Sequence, residues 1–228
     1  MKFKGTLISE ASGSLAGVTF SHNRGGQYIR ARAVPTNPAT SFQQVIRAFM
    51  ASLTAGWNSL LTGAQRDGWD QYALNVLLPD ALGEPRNVGG LGMYVRSNVP
   101  RLQALMTQID DAPGEFNLGT FQLPAIASVT APDALSLTFT TGDPWSDEDD
   151  AAMLIYGSRG NNASVNFFKG PYRFAEAILG DGTTPPTSPV AITLPFTLVA
   201  GQRVFLQGRV TRADGRLSSP FRLDSIVV

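Results

Sequence analysis

Between residues 124 and 227 the chain is cut by turn clusters into short segments, and this pattern limits the fold more than any other feature. The segments 124–130, 135–140, 152–156, 191–194, 204–210 and 221–227 each hold four to seven residues. They are rich in Val, Ile, Leu, Phe and Thr, and Gly142-Asp143-Pro144, Gly180-Asp181-Gly182 and Asp214-Gly215 stand between them. Strands need about this length, and glycine, proline and aspartate supply the turn conformations between them. About seven short strands in roughly 110 residues is the count of a two-sheet antiparallel sandwich.

Upstream the period changes from two to 3.6. Phe42, Val45, Ile46, Phe49 and Leu53 are spaced i, i+3, i+4, i+7 and i+11, which makes one apolar stripe on a helix. That helix is expected to begin at Asn37-Pro38 and to close at Thr54 to Gly56. Thr62-Gly63-Ala64-Gln65 has the form of a capping box opening a second helix over 63–77, with Trp69, Tyr72, Ala73 and Val76 on one face. Trp57, Leu60 and Leu61 are expected in the junction between the two. A third helix is expected over 91–106, kinked or broken at Pro100, since a mid-helix proline removes a backbone bond and crowds the preceding turn. Helical periodicity stops at Asp110-Asp111-Ala112-Pro113-Gly114-Glu115.

The first 34 residues form a third zone. Leu15 to Phe20 and Gln27 to Ala33 alternate bulky with small or polar residues around Ser21-His22-Asn23-Arg24-Gly25-Gly26, which reads as a β-hairpin with a glycine-rich turn. Lys2, Lys4, Arg24, Arg30 and Arg32 against Glu10 make this the only clearly basic zone. It is poor in large side chains, so such a hairpin needs another surface to lie on.

Composition removes several function classes. Eighteen basic residues balance eighteen acidic ones, so there is no global electrostatic attraction to nucleic acid or an anionic membrane. Without cysteine there are no disulfides, thiolate zinc sites or cysteine nucleophiles, and with His22 alone there is no histidine metal cluster. The start Met1-Lys2-Phe3-Lys4-Gly5 is basic but Ser9, Glu10, Ser12 and Ser14 interrupt any apolar run, so no secretory signal is expected. No apolar stretch approaches the roughly 20 residues that span a bilayer. A soluble protein made in a host cytoplasm is the expectation.

Two resemblances add to this reading. The opening Pro124-Ala125-Ile126-Ala127-Ser128-Val129, the segment Leu135-Ser136-Leu137-Thr138-Phe139, the run from Gly201 to Val210 and the turn Gly215 to Pro220 resemble a fibronectin type III domain. The motifs Tyr28-Ile29-Arg30-Ala31-Arg32, Asn37-Pro38-Ala39-Thr40, Gln43 to Arg47, Trp57 to Leu60 and Gln65-Arg66-Asp67-Gly68-Trp69 resemble a group of uncharacterised proteins encoded by bacteriophages and prophages. That second resemblance covers about residues 5–105 and implies a virion component, with no catalytic residues attached. The expected class is α+β: a β-hairpin and helical docking module over 1–112, then a fibronectin III or immunoglobulin-like β-sandwich over 113–228.

No catalytic, cofactor or metal site stands out. His22 lies in the glycine-rich turn with no carboxylate nearby in sequence, which favours an exposed turn residue over a general base. Asp147-Glu148-Asp149-Asp150, after Asp143, lacks the spacing of a calcium loop and reads as a solvated connection. Gly89-Gly90-Leu91-Gly92 has no strand or lysine to make it a phosphate loop and reads as a connection. Trp57, Trp69 and Tyr72 read as core. Phe167, Phe168, Tyr172 and Phe174 read equally as an exposed contact patch or as packing under a long loop.

The candidate partner-binding residues are Arg24, Tyr28, Arg30 and Arg32. On a strand Arg30 and Arg32 share a face, where they could meet an acidic neighbour or packaged DNA, or protect an exposed edge. The expected function is a structural component of a phage virion, head or tail, without enzymatic activity or cofactors. It would assemble in many copies with itself and other virion proteins through the hairpin and helices. The alternative is a surface module that binds an adhesion target or carbohydrate through the sandwich loops, with an exposed Trp145 and the Asn161-Asn162 loop as its contact features.

Overall fold

The computed structural model describes residues 11–23, 26–79 and 83–228. The chain mixes helix and sheet. It divides into two compact units, Met1–Gln44 and Val45–Val228.

In the first unit, β1 (Gly13–Leu15), β2 (Val18–Asn23) and β3 (Gly26–Ala31) form an antiparallel meander in the order β1-β2-β3. The hairpin expected from sequence therefore has a third strand, too short to register as alternation. Phe20 pairs with Ile29 and Val18 with both Ala31 and Leu15, while Tyr28 pairs with Ser21 and Arg30 with Thr19. Cross-strand partners share a face, so the sheet has an apolar side and a hydroxyl-and-arginine side.

Helix α1 (Ser41–Ser59) carries the chain from one unit into the other. It begins three residues beyond Pro38, because the Asn37 side chain accepts from Ala39 N–H at 3.2 Å and Ala39 has a φ of 45°. Thr40 is the cap instead: its hydroxyl accepts from Gln43 N–H at 3.4 Å and its carbonyl from Gln44 N–H at 2.9 Å. The helix also runs through Thr54 to Gly56 rather than closing there. The Thr54 hydroxyl donates back to the Met50 carbonyl at 2.8 Å, a bond that satisfies the side chain without ending the helix. Trp57 is consequently helical, Leu61 is buried, and Leu60 points to solvent.

Helix α2 (Gly63–Asn75) opens on the expected capping box. Gln65 N–H donates to the Thr62 hydroxyl at 3.3 Å, and Thr62 N–H donates to the Gln65 carboxamide at 2.9 Å. A minimal ladder of β4 (Leu78–Pro79) and β5 (Pro85–Arg86) leads to α3 (Gly90–Gln103). The three helices share a core of Leu53, Leu61, Trp69, Tyr72, Ala73, Met93 and Tyr94, with Trp57 packed against it. The aromatic residues expected in the core are thus there. Trp69 and Tyr94 meet edge to face with ring centres 5.6 Å apart.

The glycine run before α3 has a packing reason. Gly90 N–H donates to Asp70 Oδ1 at 2.9 Å, so a carboxylate on α2 caps α3. A Cβ at Gly90 would lie 2.8 Å from the Asp70 backbone nitrogen, which leaves room only for hydrogen. Pro100 does not break α3, which continues three residues past it. The helix ends when Leu105 adopts a φ of 59°. Met106 N–H then donates to the Arg101 carbonyl at 2.9 Å and Leu105 N–H to that of Leu102 at 3.2 Å, a Schellman closure with leucine where glycine is favoured. Leu105 is 95% exposed, so its side chain contributes almost no burial against the cost of this conformation. Leu105→Gly is expected to stabilise the chain by about 1 kcal/mol. Calorimetry should show a rise of about 2–4 °C, and a lower midpoint would count against this account.

Two further sheets follow. One has the order β10-β7-β6, with β6 (Ala125–Thr130), β7 (Ala134–Thr138) and β10 (Val190–Thr193). The other has the order β12-β11-β8-β9, with β8 (Ala152–Gly157), β9 (Arg173–Leu179), β11 (Arg203–Thr211) and β12 (Phe221–Ile226). All pairs are antiparallel. Leu135, Leu137 and Ile192 from one sheet meet Met153, Ile155, Val204 and Leu206 from the other in a single core.

Strand β9 is not legible in the sequence. Arg173-Phe174-Ala175-Glu176-Ala177-Ile178-Leu179 contains alanine and glutamate, which favour helix, and only pairing with β8 makes it extended. Strand β8 carries the opposite lesson. Its unbroken apolar run fits a strand covered on both faces: Met153 and Ile155 enter the two-sheet core, while Ala152 and Leu154 pack with Leu217, Ala104 and Met106 on the other side. The residues that follow α3 therefore lie on the outer face of the four-stranded sheet. The boundary placed at 112/113 falls inside the second compact unit.

Candidate functional site

On the meander, Tyr28, Arg30 and Arg32 follow one another at every second position, so β3 and its continuation carry them on one side. Arg30 and Arg32 are exposed and Tyr28 is half-buried. Arg32 N–H donates to the Gly17 carbonyl at 2.8 Å, which extends the pairing one residue beyond β3. The side chains opposite are hydroxylic, with Ser14 and Thr19 hydrogen-bonded across the strands at 2.9 Å. Arg24 lies outside the described residues. The other face carries Leu15, 71% exposed, beside Val18, Phe20 and Ile29. None of the described residues in the first unit is buried.

The start of α1 continues this apolar character. Phe42, Val45 and Met50 are exposed, and of the stripe read from sequence only Leu53 is fully buried. The periodicity identified the apolar face of the helix but not how much of it would be covered.

The other candidates resolve individually. His22 is exposed as expected, but it sits on β2 paired with Gln27 rather than in the turn. In the acidic run, Glu148 is ion-paired with Arg212 and also accepts from Ala213 N–H, while Asp149 accepts from Gly182 N–H at 2.8 Å. Asp143 is buried and accepts from Gln122 N–H at 2.9 Å. These carboxylates hold connections together. Among the described residues no cluster of three or more histidine, aspartate or glutamate side chains is placed to hold a metal.

The aromatic group divides in two. Phe168 stacks on Phe205 and the Tyr172 hydroxyl donates to the Phe168 carbonyl at 2.9 Å, which ties the loop down, whereas Phe167 remains exposed beneath the Arg222 guanidinium. Trp145 corrects the expectation of exposure. It is 1% exposed and packs on Phe139 with ring centres 5.3 Å apart, so it offers no surface to a glycan.

A feature that the sequence reading did not find lies where the helices meet the sheets. A groove of about 420 Å³ runs between α2, α3 and the segments 116–123 and 216–221. Apolar side chains such as Val76, Leu78 and Phe121 line it together with Tyr72, Arg96 and Arg216. Arg216 is neutralised by Glu115 and Asp214, both at 2.7 Å. Arg96 instead donates through one nitrogen to the carbonyls of Leu217 and Ser218, at 3.0 and 3.2 Å. Burial, and then the nearby Arg209, bring its ionisation down to about 10. Tyr156, on the outer face of β8, is pushed up to about 12 by burial. A single arginine on a helix carries no sequence signal for such a groove, because its lining comes from segments far apart in the chain.

The class that these observations define is a mixed helix-and-sheet protein with a small amphipathic sheet at one end of its chain and a cationic apolar groove in its larger unit. Among the described residues no helix is long and apolar enough to cross a membrane. The sequence matches no family model and no curated protein.

Proposed function

We propose that this chain is a structural subunit of a bacteriophage particle, in head or tail, that assembles in multiple copies through its meander and the start of α1. The observation that carries the reading is the absence of any buried residue among the described part of the first unit, although that unit has an apolar sheet face, and Phe42 and Val45 at the start of α1 are exposed as well. Surfaces of this kind gain by being covered, and a sheet whose outer strands have no further strand beside them among the described residues can add one from a neighbour. The phage assignment draws its support from the resemblance of residues 5–105. Arg30 and Arg32 would face an acidic neighbour or packaged DNA on the polar side of the same sheet.

For the larger unit we infer a fibronectin III-like sandwich. Its first, second and fifth strands (β6, β7, β10) form one sheet, and the third, fourth, sixth and seventh (β8, β9, β11, β12) form the other, which supports that reading.

Light scattering of the purified chain at several concentrations, followed by negative-stain imaging, tests the assembly. Rings, tubes or fixed multimers are expected, and Leu15→Asp with Val18→Asp should return them to the 24.3 kDa monomer. A monomer at every concentration that also fails to bind assembled phage particles would overturn the proposal.

A further inference from the structure

We propose that the groove between α2, α3 and the 216–221 segment binds a small carboxylate that carries an apolar body, with Arg96 and Tyr72 taking the carboxylate and the apolar walls taking the rest. The inference does not depend on the assembly reading.

Three observations converge. Tyr72 is 3% exposed, lines the groove, and its hydroxyl has no hydrogen-bond partner among the described residues. The ring is buried while the hydroxyl opens on the groove, so it offers a donor to an acceptor placed there. Arg96 also lines the groove and spends only one nitrogen on backbone carbonyls, which leaves Nε and the other terminal nitrogen without partners among the described residues. Finally, neither Arg96 nor its neighbour Arg209 has a carboxylate in ion-pair range among the described residues, although both are half-buried. Two adjacent half-buried cations without a counter-charge favour an anion beside them.

The guanidinium can only donate and the phenol can donate too, which suits a ligand head made of acceptors. A carboxylate accepts two bonds from a guanidinium fork and a third from a phenol. Val76, Leu78, Phe116, Phe121 and Leu123 then form walls for an alkyl or aryl body. An extended peptide in the same place would press its amides against apolar side chains and lose their hydration, whereas an alkyl chain has no such groups.

Decanoate, kept below its micellar concentration, is the probe, titrated into the full chain and followed through the Trp69 indole and backbone amide signals by nuclear magnetic resonance. A ligand of about a dozen heavy atoms should saturate with a Kd of roughly 0.1–1 mM. Arg96→Gln should weaken it about tenfold or more, and Tyr72→Phe about threefold. Tyr72→Phe removes one oxygen and leaves the carbonyl bonds of Arg96 in place, so it reports on the site even if Arg96→Gln fails to fold. Decanol should not saturate, and acetate should bind at least tenfold more weakly. Equal binding of decanol or acetate, no saturation by decanoate, or binding indifferent to both substitutions would overturn the proposal.

Discussion

Replacing Arg101 with methionine is expected to lower the unfolding midpoint of the chain by about 6–12 °C. Arg101 is 1% exposed, and its guanidinium donates to three carbonyls, Thr107 at 2.9 Å, Asp150 at 3.0 Å and Arg212 at 3.1 Å. Those acceptors belong to the segment after α3, the turn before β8 and the residue that follows β11, so one side chain ties the helical layer to the four-stranded sheet. Burial lowers its proton affinity, and Asp150, Asp214 and Glu148 raise it in part. Methionine fills much of the space but leaves three carbonyls without a donor, at about 1 kcal/mol or more each. A total near 3 kcal/mol converts to the stated shift at roughly 2–4 °C per kcal/mol for a unit of this size. Arg101→Lys should recover less than half of it, since an ammonium cannot reproduce a planar fork aimed at three acceptors. Calorimetry of the three proteins decides the matter. A methionine variant within about 1 kcal/mol of the parent would mean that the Arg101 bonds add little to the apolar contact between the helices and sheets.

Trp69→Ala should cost still more, about 4 kcal/mol. The indole is fully buried, meets Tyr72 and Tyr94 edge-on at 5.8 and 5.6 Å, and donates its N–H to the Asp110 carbonyl at 2.9 Å. Truncation opens a cavity among aromatic rings that are themselves fixed. Tyr94, whose hydroxyl is pushed upward in pKa by burial and then by Asp110, contacts both that carboxylate and the Gln108 side chain. Trp69→Phe keeps most of the ring contact and loses the hydrogen bond, for about 1–2 kcal/mol. Urea unfolding midpoints should fall in the order parent, phenylalanine, alanine. An alanine variant as stable as the phenylalanine one would show that the site collapses around the smaller side chain.

Much of the local structure was written in short-range chemistry. The capping box at Thr62 and Gln65, the apolar faces of α2 and α3, and most strands of the two later sheets follow from spacing and turn residues, because each is settled within a few residues of chain. The failures have equally local causes. Asn37 diverts the chain before the first helix, so Pro38 does not start it, and Thr54 bonds back into the helix instead of ending it. At the end of α3, leucine occupies a left-handed position that sequence statistics assign to glycine. The candidate arginines at positions 30 and 32 were readable as a same-face pair because strand geometry is regular.

What the sequence determined by itself was the kind of element at each place and which side of it is apolar, since hydrophobic period and capping chemistry act along the chain. Tertiary structure alone decided which of those apolar sides are covered. Leu53 is buried while Phe42, eleven residues earlier on the same stripe, is exposed. It also decided that residues 173–179 would be a strand, that Trp145 would be buried, and that Arg96 and Tyr72 would face one groove. Burial and counter-charge depend on which distant segments arrive at a place, and no period in the sequence records that.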